Sequence, residues 1–245
     1  NYRVGSHGLT DRKPEARAKN VLEGEMMIAD TNPGAITGVW ATSNTRSAIW
    51  DAMAAKETFA TSGPRIRVRA FAGQGFNQPQ GSYEDLVTDG YAKGVPMGGN
   101  YEGKEAPQIL VWAAKDPDGP NLDRIQIIKG WLDKKGEAQE RIFDIAVSDG
   151  REIGSDGRCQ TPVGDTVDVE NASFTNTIGD AVLAAYWQDP DFDPSLAAFY
   201  YVRVLEIPTP TWIAHDEKIF GVRAPAEALR ISQERAYTSP VWYTP

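Results

Sequence analysis

The chain has few of the residues from which the commonest metal and redox sites are built. Of its 245 residues one is cysteine, Cys159, and two are histidine, His7 and His215. A single thiol excludes an intrachain disulfide and any CxxC or Cys/His zinc site. No apolar run approaches the roughly 20 residues needed to span a bilayer, and the opening NYRVGSHGLT has neither the basic nor the apolar region of an export signal. Clustered positive charge is also missing. With 25 Lys and Arg against 34 Asp and Glu, the formal charge of -9 repels phosphate backbones. The expectation is therefore a soluble protein with no nucleic-acid partner and no membrane span.

What is present is enough apolar sequence, 41% of residues, to furnish a core for one large domain or two modest ones. Residues 1–34 are rich in Gly, Pro and charge and read as loop. They begin at Asn1 without a helix or strand start signal, which reads as a processed, truncated or incomplete product. Such a long irregular opening is expected to pack on something else.

Residues 35–72 carry the clearest local pattern: an apolar strand AITGVWA, a cap-like TSNT, a helix from Arg46 to Lys56, then TFATSGPRIRVRAF. Ser43 or Asn44 is placed to cap that helix, and Ile49, Trp50, Ala52, Met53 and Ala54 give it a broad apolar face. In RIRVRAF, Ile66, Val68 and Ala70 alternate with Arg65, Arg67 and Arg69, the period of a strand with one buried and one wet face. A helix between two strands suggests a β-α-β edge.

Residues 73–107 are dominated by Gly and Pro and read as a connecting segment. Beyond 107 come short strands, QILVWAAK, DRIQIIKGWL, ERIFDIAVS, AVLAAYWQ, AFYYVRVLEI and TSPVWYT, separated by turns such as DPDGPN and SDGR. Spacing and turn chemistry predict an antiparallel sandwich over 108–245. PAEALRISQERA, near 225–236, has the composition of a short helix.

Candidate site residues are sparse. His7 sits in GSHGLTD beside glycines, Ser6 and Asp11 and is the candidate active-site loop residue. Asp189, Asp191 and Asp193 in DPDFDPS place three carboxylates at alternate positions, as oxygen-rich calcium loops do, and are the candidate structural calcium ligands. Their rival role is a turn whose Asp side chains bond their own backbone. The missing turn glycine and terminal Glu exclude an EF-hand. Asp116 and Asp118 in DPDG read as ordinary turn formers. No G-x-S-x-G, phosphate-cradling glycine loop or dinucleotide fingerprint occurs. Trp112, Trp131, Trp187, Trp212 and Trp242 fall in or beside strands, where a core role outweighs a sugar-binding platform.

The stretches TGVWATSNTRSAIWDAMAAKETFATSGPRIRVRAF, GVPMGG, PQILVWAAKDPDGPNLDRIQIIKGW, DPDFDPSLAAFYYVRVLEIPTPTW and ERAYTSPVWYTP together resemble a bacterial family catalogued as a domain of unknown function. That family in turn looks like metallo-hydrolases of the PHP (polymerase and histidinol phosphatase) superfamily. The resemblance implies a distorted β/α barrel with His and Asp metal ligands, followed by a C-terminal β-sandwich. On this reading residues 1–72 end the barrel, 73–107 connect, and 108–245 form the sandwich. The H-x-H and D-x-H motifs would lie upstream of Asn1, so no catalytic ligand is carried over to this chain. A divalent metal, Zn, Mn or Fe, is expected in the parent barrel, and a bacterial periplasm or cytoplasm is compatible with the resemblance.

The resulting expectation is the C-terminal portion of a metal-dependent, phosphoesterase-like hydrolase. It would be inactive by itself and bound to the N-terminal segment of the same protein, as a cleaved chain in the preferred form. A homo-oligomer is the other assembly envisaged. The alternative is a non-catalytic β-sandwich that binds a glycan or a protein partner, or that merely buttresses the barrel.

Overall fold

The computed structural model describes residues 13–15, 34–76 and 82–245. The fold is mainly β, with antiparallel sheets. The strands are β1 (Ile36–Val39), β2 (Thr58–Thr61), β3 (Arg67–Gly73), β4 (Gly94–Pro96), β5 (Asn100–Tyr101), β6 (Gln108–Ala114), β7 (Leu122–Leu132), β8 (Ala138–Val147), β9 (Val182–Gln188), β10 (Ala198–Glu206), β11 (Thr209–Pro210), β12 (Ile231–Ser232), β13 (Arg235–Thr238) and β14 (Val241–Tyr243). The helices are α1 (Arg46–Ala54), α2 (Tyr83–Lys93) and α3 (Trp212–Phe220).

The large sheet is centred on β10, which pairs with β7 along its whole length, and β7 pairs with β8. The opposite edge of β10 is shared: β14 takes Ala198–Tyr200 and β13 takes Arg203–Leu205. β13 continues to β2 and β1, while β14 carries the short parallel strand β5. A second sheet runs β4-β3-β6-β9, all antiparallel.

The core lies between the two sheets. Val68 on β3, Val111 on β6, Ile125 and Ile127 on β7, and Val202 and Val204 on β10 are all shut off from solvent. β10 shows how sequence period makes this layer: every second residue from Ala198 to Glu206 is buried and the residues between are half-exposed.

α2 forms a third layer on the outer face of the small sheet, where Leu86 packs with Phe71, Phe76 and Leu110. Its start is set by a capping box: Ser82 Oγ accepts from the Asp85 amide at 3.2 Å, and Asp85 accepts from the Ser82 amide at 3.0 Å. Gly90 lets the helix lie flush on Phe71, since a Cβ there would come within 2.4 Å of the ring. With both faces covered, β6 carries the near-continuous apolar run QILVWAA.

Several expectations from sequence need correction. The strand–helix–strand order of residues 35–72 is present, but β1 and β2 pair antiparallel, so α1 crowns a hairpin rather than crossing between parallel strands. Its cap is Thr45, whose Oγ accepts from the Ala48 amide at 3.3 Å, and the helix ends at Ala54. Residues 225–236 hold no helix. They contribute β12 and the start of β13, and the local helix is α3 instead. The expected 72/73 boundary falls inside β3, which pairs with β6 over its full length, and 73–107 supplies α2, β4 and β5. The sandwich therefore draws strands from well before residue 108. No helix among the described residues is long and apolar enough to cross a membrane.

Candidate functional site

The loop after β9 holds the three alternating carboxylates. Asp189 is fully enclosed, with Lys129 Nζ at 2.6 Å and the Tyr200 hydroxyl donating to it at 2.6 Å. Its other oxygen accepts from the Asp191 amide at 2.9 Å, the bond of an Asp-stabilised turn. Burial, and then the Asp189 charge, push the Tyr200 phenol far above its ordinary range. Asp191 turns to Arg141, while Asp193 accepts from Ser195 Oγ at 2.6 Å and faces Lys134 at 3.7 Å. The Ser195 hydrogen bonds hold the Asp193 carboxyl below the usual carboxylate range. The three carboxylates thus diverge toward three different cations, whereas a calcium ion requires its oxygens to converge.

His215 lies on the exposed side of α3, and His7 lies outside the described residues. Among the described residues no three His, Cys, Asp or Glu side chains are grouped as a metal site needs. Cys159 is buried, its thiol donating to the Thr161 carbonyl at 3.4 Å. Asp116 does turn the chain, accepting from the Asp118 amide at 3.1 Å, and also clasps Arg65 through the amide at 2.7 Å and the guanidinium at 3.1 Å. Burial alone would raise the Asp116 carboxyl; the Arg65 bonds outweigh it and hold the carboxyl low.

Sequence reading missed two groupings. Arg69, expected on a wet face, is roofed by α2. Its guanidinium lies 4.5 Å from the Trp40 ring and 5.1 Å from that of Tyr91, donates to Tyr83 Oη at 3.1 Å and to Tyr91 Oη at 2.5 Å, and leaves Nε without a partner. Tyr91 in turn donates to Glu57 at 2.5 Å. Burial, then that bond, raise the Tyr91 phenol above its ordinary value. Glu206, the last residue of β10, is 1% exposed, and among the described residues neither of its carboxylate oxygens has a hydrogen-bond partner. The period of two in AFYYVRVLE already places it on the core face with Val202 and Val204. The same period in IQIIKGW places Lys129 beside Ile125 and Ile127.

The opposite kind of exception, apolar side chains facing water, occurs at the β1–α1 corner. Only Ala52 of α1 is buried; Trp50 is 68% exposed and Met53 53%, and Ile36 on the edge strand β1 is 41% exposed. Arg46, Ile49, Trp50 and Met53 line a recess along this face. The broad apolar face read from sequence is present, but it points away from the sandwich.

A family model described as Protein of unknown function (DUF3604) matches residues 1–245. The chain belongs to this family. No curated protein and no solved structure matches it. In this DUF3604 chain the five tryptophans weighed for a core role divide: Trp112, Trp131, Trp187 and Trp212 are half-buried, and Trp242 is exposed. Among the described residues of this DUF3604 chain the buried carboxylates of Asp123, Asp144 and Asp189 are paired with cations, whereas Glu206 has no hydrogen-bond partner.

Proposed function

We propose that this chain is the C-terminal portion of a metal-dependent, phosphoesterase-like hydrolase, and that its part in the enzyme is to support a catalytic unit built from upstream sequence. The observation that carries this reading is the apolar face of α1 with the neighbouring edge of β1. A helix that turns Trp50 and Met53 outward gains by being covered. Burying each such side chain is worth roughly 1.5–3 kcal/mol, and the second edge of β1, unpaired among the described residues, invites pairing beside it. The reading also agrees with what the resemblance to the PHP-related family implies, metal-binding motifs upstream of Asn1.

The described residues do not themselves fit a catalytic metal. Their clustered carboxylates are taken up by lysine and arginine, and no ligand or catalytic step is assigned to them. Their role is positional: β2 locks the corner to β13, and Trp40 Nε1 donates to the Val68 carbonyl at 2.9 Å, joining α1's approach to the small sheet. The corner is thereby tied to both sheets beneath whatever packs on Trp50.

The test is hydrolysis of bis(p-nitrophenyl) phosphate by the product of the whole reading frame. The expected result is turnover that a chelator abolishes and that Trp50→Glu lowers by about tenfold or more, while the sandwich's thermal transition is unchanged. Turnover indifferent to both chelator and Trp50→Glu sinks the reading.

A further inference from the structure

The small sheet's outer face is roofed by α2, but the large sheet's outer face carries a row of aromatic rings. The register sets it: Phe199 and Tyr201 are the outward residues of β10, Trp242 lies opposite Phe199 on β14, and Tyr237 lies opposite Arg203 on β13. Ring centroids follow one another at 5.3 Å from Trp242 to Phe199, 6.3 Å from Phe199 to Tyr201, and 6.2 Å from Tyr201 to Tyr237. The Phe199 and Tyr201 planes are within 14° of parallel. Gly130, facing Phe199 across β7, makes room for this flat lie: a Cβ there would meet the ring at 2.3 Å. Beyond Tyr237 the outward residue of β2 is Ala60, small and exposed, so nothing on that strand overhangs the row.

Charge at one end of the row has a definite sign. Arg203 and Arg235 continue the outward positions of β10 and β13. Arg203 Nε donates to Gln126 at 2.7 Å, and the Arg235 guanidinium donates to the Gln233 carbonyl at 3.1 and 3.3 Å. Neither guanidinium is paired with a carboxylate among the described residues. On a protein of net charge -9 this is an unusual cationic end. The row's other flank has Glu140, across from Gly130.

We propose that this face binds an oligosaccharide of uronic acids, its sugar rings stacking on Trp242, Phe199, Tyr201 and Tyr237 and a carboxylate engaging Arg203 and Arg235. A pyranose presents an apolar C–H face that matches a half-exposed aromatic ring, and successive sugars present it repeatedly, as a row of rings requires. A planar guanidinium with free donors matches a carboxylate fork, which selects an acidic over a neutral sugar. The inference stands on the sheet face alone and is independent of the hydrolase reading.

Calorimetric titration of the full chain with a galacturonic-acid hexamer, and with a neutral glucose hexamer, tests it. The acidic hexamer should bind at least about tenfold more tightly than the neutral one. Trp242→Ala and Tyr201→Ala should each weaken it by about tenfold with melting unchanged. Arg203→Gln, or Arg235→Gln where the former perturbs Gln126, should erase the preference for the acidic sugar. No binding heat from well-folded protein, or equal affinity for the two hexamers, overturns the proposal. A dimer that Trp242→Ala dissociates also overturns it, by assigning the face to a second copy. None of these readouts involves metal or hydrolysis, so failure here leaves the preceding reading untouched.

Discussion

Glu206 is the side chain whose environment is most at odds with its chemistry. Burial first, then the nearby negative charges of Glu234 and Asp116, raise its carboxyl to about 8 against an ordinary 4.5, with Lys115 opposing. The group is therefore neutral in the folded protein at pH 7 and ionised in the unfolded chain. Its contribution to stability is complete below pH 4.5 and is lost as the pH rises to about 8, at roughly 1.4 kcal/mol per pH unit. Above that the folded carboxyl ionises too and the slope ends. Glu206→Gln should flatten this slope, so that between pH 5 and pH 8 the variant does not lose the several kcal/mol of stability that the unsubstituted protein loses. Urea midpoints at four pH values between 5 and 8 check it, and parallel profiles for the two proteins contradict it. Lys129 and Asp189 differ in kind, since each supplies the other's counter-charge and Tyr200 completes the hydrogen bonding.

At the scale of elements, legibility followed local chemistry. β6, β7, β8, β9 and β10 lie where short apolar stretches between Asp/Gly/Pro turns put them, and in β10 the period of two also shows which face is buried. α2 was hidden. Its residues YEDLVTDGYAK have a weak apolar stripe, and the flanking glycines and prolines suggested a connection, although Ser82 and Asp85 stand at capping-box spacing. The helix earns its stability from tertiary contact with Phe71 and Leu110, which no local window displays. Gly90→Ala tests that dependence. Alanine is the better helix former in isolation, yet here it collides with Phe71 and should cost about 1–3 kcal/mol in chemical denaturation. A stabilised variant would mean that α2 does not rest on the sheet. PAEALRISQERA failed in the reverse sense: its composition favours helix, but Arg230 is drawn to Glu217 of α3 at 2.8 Å and Arg235 into the β13–β10 ladder.

For the whole molecule, strand spacing and turn chemistry read correctly as a mainly β fold, while the expected 72/73 boundary falls inside β3. Pairing of β3 with β6 and of β2 with β13 joins residues more than a hundred positions apart in the latter case, and nothing local announces such partners. The candidate site was less legible still. The DPDFDPS carboxylates were found by their spacing, but their cations, Lys129, Arg141 and Lys134, come from another hairpin. His7 falls outside the described residues. What sequence did expose was the apolar face of α1, and the structure leaves that face outward, with Trp50 at its centre. The proposal that this corner supports an upstream catalytic unit is tested most directly by native mass spectrometry with elemental analysis of the protein purified from its own reading frame. The account predicts a species that includes polypeptide from upstream of Asn1 and carries two or more equivalents of a divalent transition metal. A metal-free species in which this 26.8 kDa chain stands alone would contradict it.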